Sequence, residues 1–516
     1  MVWHRLQRNG VFITTVSFST RRPNALNRLN RDHLENLNER VKIPRYRLTT
    51  DDCGILHLGL GQFSRGHLLD YLDELLGSNP GPWGLIGVSL RSDGAAALAE
   101  QDGLYTLIHQ SEVSVSAKVV GALKGVIVLD SEDGPNQLQG YLLSPKVRII
   151  SLTITEKGYY LTSEGRLNVA HPDIAADLEQ PNQPRTAVGW IALGLKLRLE
   201  RGIVLFTVMS LDNLAGNGRV LRQVVLDYIG VAFPEIKSVV RDQASFPSSM
   251  VDRIVPAQNL ADRALAQKIL GVWDQSVVVA EPFSQWVLED RFVSGRPDWG
   301  SVGVTLCADV APFEAMKLRL LNGAHSAIAY VGLMLGYDSV ADCLADPIVA
   351  DYVSRLMVDE ILPGVVAPPS VDLPGYVVTL LERFKNPFLH HRCQQIAMDG
   401  SEKIQQRWLP VLASRLETQS PVPLMAFGLA SWMIYLEGPS VVQDPRRDQL
   451  QRLLADKSRR AQAAALVQDS GMFLGVTSHS RRLIGNVAAS LESIDAHGGS
   501  QALSQLLRDQ QRGDAS

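Results

Sequence analysis

The sequence predicts an α/β chain, with an N-terminal doubly wound domain followed by a mainly α-helical C-terminal domain. Three observations predict it. Near-continuous apolar runs alternate with stretches of helical spacing in the first half. A glycine-containing loop follows directly on the first run. From about Ala311 onward the pattern changes to long stretches of helical periodicity.

The apolar runs are residues 55–60, 85–90, 147–154, 203–209 and, as a candidate fifth, 277–280. They are β-branched or leucine-rich without polar alternation, as strands covered on both faces of a parallel sheet must be. Residues 67–76 and 186–201 lie between them with helical spacing. Strand–helix alternation of this kind builds a sheet with right-handed crossovers. In the second half the helical stretches are 312–335, 348–361, 374–384, 424–436 and 449–467. The turn-rich residues 294–297 precede the change, so the boundary is expected near 295–311. This divides the chain into an extension (1–45), a sheet domain (46–305) and a helical domain (306–516). The polar last ~18 residues are expected to fray.

At 516 residues, 46% hydrophobic and 20% charged, the chain can bury two large cores. A net charge of -4 gives no global positive field for nucleic acid or acidic membranes. No apolar run approaches the ~20 residues of a membrane span. Cys53, Cys307, Cys343 and Cys393 lie far apart in sequence and form no zinc-knuckle or redox spacing, so a reducing, cytoplasmic setting is expected. The start carries Arg5, Arg8, Arg21, Arg22, Arg28 and Arg31 with no acid before Asp32. That is the composition of a transit peptide. The plainer expectation is a disordered extension or a misplaced start codon, and the fold argument leaves it aside.

In an open α/β sheet, ligands bind outside the carboxyl ends of the strands. After the first run stands Gly59-Leu60-Gly61-Gln62-Phe63-Ser64-Arg65. Glycines there let the backbone turn and approach a pyrophosphate at the next helix N-terminus. Gly59, Gly61, Phe63 and Arg65 are therefore cofactor candidates, Arg65 as a phosphate contact. The third glycine of GxGxxG is absent, and a purely structural turn has the same composition. After the second run stands Arg91-Ser92-Asp93. Asp93 would accept from a ribose hydroxyl and repel a 2′-phosphate, favouring NAD, whereas Arg91 pulls toward NADP. The third, fourth and fifth runs end in Thr155-Glu156-Lys157-Gly158, Asp212-Asn213 and Glu281-Pro282-Phe283. Any one polar strand end could be a helix cap. Several on one sheet, with a glycine loop on the first, describe a ligand crevice, and Thr155 joins the cofactor candidates.

The segment from Glu314 to His325 mixes polar and titratable groups into a helical apolar face. With Lys317 at zero and about 100° per residue, Glu314 falls near ~60°, His325 near ~80° and Asn322 near ~140°. Unpaired polar groups on such a face are expensive to bury. Either they form a hydrogen-bonded domain interface or they form an active site, because burial is also how a lysine acquires a useful pKa. As a site, Lys317 would take the hydroxyl proton of a secondary alcohol while hydride leaves its carbon. The amides of Asn322 and Asn213 would donate to the developing alkoxide. His325 would orient the hydroxyl, and Glu314 would tune the lysine or relay its proton. The sequence holds no clustered Cys/His set for a catalytic zinc, so no metal is expected.

Five segments carry a family resemblance: HLGLGQFSRGH (57–67), SLTITEKGY (151–159), TVMSLDNLAGNG (207–218), MVDRIVP (250–256) with AEPFSQWVLED (280–290), and APFEAMKLRLLNGAH (311–325). From about residue 55 to about 440 the chain resembles the mannitol dehydrogenase family, the polyol-specific long-chain dehydrogenases. The resemblance implies an N-terminal Rossmann-type domain and a helical C-terminal domain with the site between them. It implies Lys317 as general base, Asn213 and Asn322 as oxyanion donors and His325 as a substrate ligand. It adds Asp252 near the substrate, Lys403 of DGSEK (399–403) at its far end, and Glu156 as an acid near the proton exit.

The chain departs from the family pattern in places. FHRAH becomes Phe63-Ser64-Arg65-Gly66-His67, and Gln395 stands where mannitol-type members often carry an arginine. HHRCQQIAMDGSEK (390–403) and TEKGY resemble members acting on mannonate and fructuronate, so Lys403, with Arg392 or Arg407, would meet a carboxylate. The expectation is an NAD-dependent oxidoreductase, with NADP as the alternative cofactor. D-mannonate/D-fructuronate is favoured over D-mannitol/D-fructose and D-arabinitol. The partners would be a small sugar alcohol, ketose or hexuronate. An inactive NAD-binding redox sensor and a zinc-dependent polyol dehydrogenase are the competing classes.

Overall fold

The structure is a computed structural model, which describes residues 3–8, 11–16, 28–49, 52–90, 94–389, 391–438 and 442–514. Its strands are β1 (Trp3–Arg8), β2 (Val11–Val16), β3 (Ile55–Leu58), β4 (Leu85–Ser89), β5 (Tyr105–Gln110), β6 (Val115–Val120), β7 (Leu123–Val128), β8 (Ile149–Leu152), β9 (Thr207–Ser210), β10 (Ser249–Asp252), β11 (Val278–Ala280), β12 (Gln285–Glu289) and β13 (Thr305–Cys307).

The central sheet is five-stranded, in the order β7-β4-β3-β8-β9, and every pairing in it is parallel. β3, β4, β8 and β9 are buried at every position, which is why they read as unbroken apolar runs. The chain winds outward from β3 through β4 to β7, then restarts on the other side of β3 with β8 and β9. The order therefore reverses between β3 and β8, and a crevice opens at their carboxyl ends. This is the Rossmann-type winding expected.

Five elements differ from the sequence expectation. The run 277–280 forms β11, but it pairs with β5 in a separate three-stranded sheet, β11-β5-β6. The fifth central strand is β7, an edge strand whose LKGVIV is interrupted by Lys124 and Gly125 and is only partly buried. The fourth run begins as strand only at Thr207. In the helical half, 449–467 divides into helices Arg447–Leu454 and Arg459–Asp469. The last stretch forms a helix, Gly499–Asp514, that docks by burying Ala502, Leu503 and Leu507. The three apolar side chains fall on one face of the helix.

Part of the N-terminal extension is also packed. β1 and β2 pair as an antiparallel hairpin. Leu29 and Val41 are buried against Leu104, Ile108 and Val119, and the Leu29 N–H donates to the Trp273 carbonyl at 2.9 Å.

After β13 the chain turns helical. Helix Ala311–Lys317, a wider π-type turn Leu318–Asn322 and helix Gly323–Leu335 form one continuous rod. The last of these is buried from Gly323 to Gly332 and packs on helix Pro423–Glu437, itself apolar on nearly every side. Cys343 and Cys393 meet in this core with their sulfurs 3.6 Å apart, although fifty residues separate them in sequence. Among the described residues no helix is long and apolar enough to cross a membrane.

Candidate active site

A cavity of about 840 Å³ lies where the carboxyl ends of β3, β8 and β10 face the rod 311–335 and helix Gly400–Arg407. Gly59, Gly61, Phe63, Thr155, Glu156, Asn213, Asp252, Lys317, Asn322, His325, Gln395 and Lys403 all line it. The fold thus brings together, from both halves of the chain, most of the residues singled out in the sequence. Arg91 and Asp93 lie outside the described residues. Arg65, Glu314 and Arg392 are not in the cavity wall.

The sheet side is built around the glycine loop. Gly59 has φ +89°, and a Cβ there would stand 2.2 Å from the Thr153 carbonyl oxygen, so only glycine fits. Its N–H donates to the Val88 carbonyl at 2.9 Å, and its carbonyl accepts from Thr153 Oγ1 at 2.8 Å. Gly61 caps helix Gln62–Gly66, its N–H held by Ser64 Oγ at 3.0 Å. A Cβ on Gly61 would meet nothing nearer than 3.8 Å, so the backbone there is open to close approach. Gln62 Oε1, also in the wall, is buried without a partner among the described residues. An open glycine turn at the switch point, beside an unpartnered acceptor, fits a dinucleotide.

Arg65 corrects an expectation. Its guanidinium is buried behind the loop, where Nε donates to the Gly61 carbonyl at 3.3 Å and Nη1 to the Ser276 carbonyl. It braces the loop from beneath and does not reach the cavity.

Beyond β8, Thr155 sits at φ +63°, ψ 164°, a region that residues with a Cβ seldom occupy. Asp212 holds it there: the carboxylate accepts from the N–H groups of Ile154 (3.1 Å) and Thr155 (2.8 Å) and from the Tyr159 hydroxyl (2.8 Å). Burial pushes the Asp212 pKa up, while these donors pull it back. Such strain persists only where surrounding bonds over-determine it. The result fixes Thr155 and Glu156 at the cavity wall.

On the helical side, Lys317 Nζ donates to Asn213 Oδ1 at 2.8 Å and to the Val251 carbonyl at 2.7 Å. Burial holds its pKa below the usual lysine value, with Asp252 acting against that. Because Asn213 accepts through Oδ1, its Nδ2 is left as a donor. His325 lies between the rings of Phe384 (centroids 4.6 Å apart) and His391 (5.0 Å). Burial, then His391 and nearby cations, hold its pKa well below the ordinary value, so the ring is neutral. Its Nε2 is buried without a partner among the described residues.

Glu314 is directed elsewhere than the spacing suggested. Its carboxylate accepts twice from the Gly216 N–H, at 2.9 and 3.1 Å, at the start of helix Asn217–Ala232. It acts on Lys317 only through space, favouring the charged lysine.

Asp252 leads to the residue that sequence reasoning missed. Arg383, at the end of helix Leu373–Phe384, grips both Asp252 oxygens (2.8 and 3.0 Å) and both Glu281 oxygens (2.8 and 2.9 Å). Nothing in LERFKNP distinguishes Arg383 from a solvated helix residue; its partners are distant in sequence. His391 was equally unmarked, although it stands within the HHRCQQIAMDGSEK segment. At the far end, Lys403 Nζ donates to the Ile396 carbonyl at 3.3 Å. Of the two arginines left open, Arg407 lines the cavity, whereas Arg392 is exposed outside it. Among the described residues no group of three or more His, Cys, Asp or Glu side chains could hold a metal ion.

Comparison with known proteins gives the family. Residues 53–301 match the family model described as the mannitol dehydrogenase Rossmann domain, and residues 309–495 match the mannitol dehydrogenase C-terminal domain. The chain is 38% identical to a D-mannonate oxidoreductase of Escherichia coli K12, over 88% of this chain and 95% of that protein. It is also 38% identical to a mannitol 2-dehydrogenase of Aspergillus fumigatus, over 80% and 85% of the two chains. The solved Pseudomonas fluorescens mannitol 2-dehydrogenase, in ternary complex with NAD and D-mannitol, superposes with a TM-score of 0.78 at 34% identity, covering 93% of this chain and 99% of that one. With both domain models matched in order and relatives aligned over most of its length, the chain belongs to the mannitol dehydrogenase family.

Proposed function

We propose that this protein is an NAD-dependent, metal-independent dehydrogenase that interconverts D-mannonate and D-fructuronate, with Lys317 as general base. The observation that carries the reading is the buried Lys317 amine. Two of its positions are fixed by Asn213 Oδ1 and the Val251 carbonyl, and it shares the cavity with the unpartnered His325 Nε2.

The loop Gly59–Phe63 would hold NAD, which when bound would supply the hydride acceptor. In oxidation the carbinol C–H pair leaves as hydride, the hydroxyl proton passes to Lys317 Nζ, and a C=O forms. Reduction is the reverse. The lysine's two fixed bonds leave its third position for the substrate hydroxyl, and its lowered pKa makes the free amine accessible. Asn213 Nδ2 and the Asn322 amide donate to the oxygen as alkoxide character grows. Neutral His325 orients that oxygen through Nε2. Asp252 contacts the polyol chain, Glu156 carries the proton toward solvent, and Glu314 favours the protonated lysine through space. Lys403 and Gln395 meet the far end of the substrate. Similarity to the E. coli D-mannonate oxidoreductase supports the acid substrate. Similarity to the Pseudomonas enzyme bound to D-mannitol favours mannitol/fructose as the second reading.

The test is NADH oxidation by the purified protein with EDTA present, comparing fructuronate and fructose as acceptors. Preference for fructuronate supports the aldonate reading, and preference for fructose makes the second reading the right one. Turnover of neither acceptor overturns both.

The cofactor loop has its own test. Gly59→Ala should lower the unfolding temperature and NADH affinity together, because its Cβ collides with a backbone oxygen and the left-handed φ adds strain of about 1–3 kcal/mol. Gly61→Ala should unfold like the wild type yet bind NADH at least several-fold more weakly. Wild-type affinity in Gly61→Ala, by fluorescence titration, would remove the loop as the cofactor contact.

A further inference from the structure

The cations around the cavity differ in what balances them. Arg383 is neutralised by Asp252 and Glu281. Arg253 is neutralised by Asp70. Arg407 is partly buried, and its hydrogen bonds go to two neutral acceptors: Nη1 donates to the Asn322 carbonyl at 3.2 Å and to Ser326 Oγ at 2.8 Å. Among the described residues no carboxylate lies within ion-pair distance of it, and its Nε and Nη2 have no hydrogen-bond partner. Burial lowers its pKa to about 10.

Lys403 stands four residues earlier on the same helix, Gly400–Arg407, and also lines the cavity. Its one hydrogen bond goes to the Ile396 carbonyl, and it makes no ion pair among the described residues. Like charges at i,i+4 repel, and an unneutralised charge is expensive to bury. These two cations share one face at one end of the substrate cavity; Asp399, Glu156 and Asp444 act on Lys403 only through space, and an anion in the cavity would pair directly with both. The guanidinium is already anchored through Nη1, so its Nε/Nη2 edge is free. That edge binds a carboxylate with two parallel bonds, a geometry that lysine cannot reproduce.

We propose that Arg407, with Lys403 beside it, binds the substrate carboxylate and determines specificity for an aldonate or ketouronate over the uncharged polyol or ketose; this rests on the dehydrogenase reading above. Arg407 also holds the backbone of Asn322, so a carboxylate docked on it is registered against the oxyanion donor.

The experiment is steady-state reduction of fructuronate and of fructose by NADH, using wild type, Arg407→Gln and Arg407→Lys. The wild type should prefer fructuronate. Arg407→Gln should lose roughly 30- to 100-fold more in kcat/KM for fructuronate than for fructose, the difference lying chiefly in KM. Arg407→Lys should recover only part of the loss. Equal losses on both acceptors would make Arg407 a brace for Asn322 and overturn the proposal, as would no loss on either.

Wild-type turnover of fructose but not fructuronate would overturn this inference while the dehydrogenase reading stands. Turnover of neither would overturn that reading and this inference with it. If Arg407→Gln does not fold, the wild type decides the matter through mannonate against mannonamide, which keeps the shape and removes the charge. A strong preference for the anion supports the proposal, and equal kcat/KM overturns it.

Discussion

Replacing Lys317 with alanine is expected to lower kcat in both directions by roughly 10²- to 10⁴-fold, the usual contribution of a positioned acid–base group. NADH affinity should stay near the wild-type value, because Lys317 lies on the helical rod and the cofactor candidates lie on the loops after β3 and β8. The substrate KM should move little, since the amides and imidazole remain. The pH profile gives a second readout. Burial lowers the Lys317 pKa, and oxidation needs the free amine. In the wild type, kcat/KM for the alcohol should therefore rise with pH and level off below the ordinary lysine value of about 10.4. Reduction needs the ammonium form, so it should fall over the same range. Lys317→Ala should lose both limbs. Unchanged turnover in the variant, or a profile that does not differ from wild type, would sink Lys317 as the base.

How much of this was legible in sequence depends on whether a role is local. Buried parallel strands announce themselves as unbroken apolar runs, and the residues that follow them sit at the crevice because the winding puts them there. Gly59, Thr155 and Asn213 could therefore be found without a structure. Pairing partners are not local. The run 277–280 gave no sign that β11 belongs with β5, and β7 was hidden because an edge strand tolerates Lys124 and Gly125.

The helical rod shows the same limit at finer scale. A constant 100° step placed Glu314 nearest to Lys317. The π-type turn Leu318–Asn322 breaks that step, yet Lys317, Asn322 and His325 all reach the cavity. Glu314, on the regular part of the rod, is drawn away by the N–H of Gly216 at the start of another helix. Helix termini compete for carboxylates, and spacing along one helix cannot show a competitor from another. Arg383 is the extreme case, because its significance lies wholly in two acids that arrive from β10 and from beyond β11.

Arg383→Met is expected to destabilise the protein by about 3–5 kcal/mol at neutral pH, the usual penalty for removing one partner of a buried ion cluster. Asp252 and Glu281 are 4% and 2% exposed, so water cannot replace the four hydrogen bonds the guanidinium makes. Burial already raises the Glu281 pKa even with Arg383 pulling it down. Without that cation it should rise further, so the folded variant would bind a proton that the unfolded chain releases. A carboxyl whose folded pKa is raised contributes stability below its unfolded value of about 4.3 and loses it as pH rises. The deficit, measured by denaturant unfolding, should therefore be larger at pH 8 than at pH 5. The variant should also lose turnover, because Asp252 no longer has a fixed position in the cavity wall. Neutralising the acids in the same background, with Asp252→Asn and Glu281→Gln, should restore much of the stability but not the activity. That separation matters, because a purely structural strut would recover both. A deficit below about 1 kcal/mol at pH 8, as for an exposed pair, would show that the cluster does not join the sheet to the helical half.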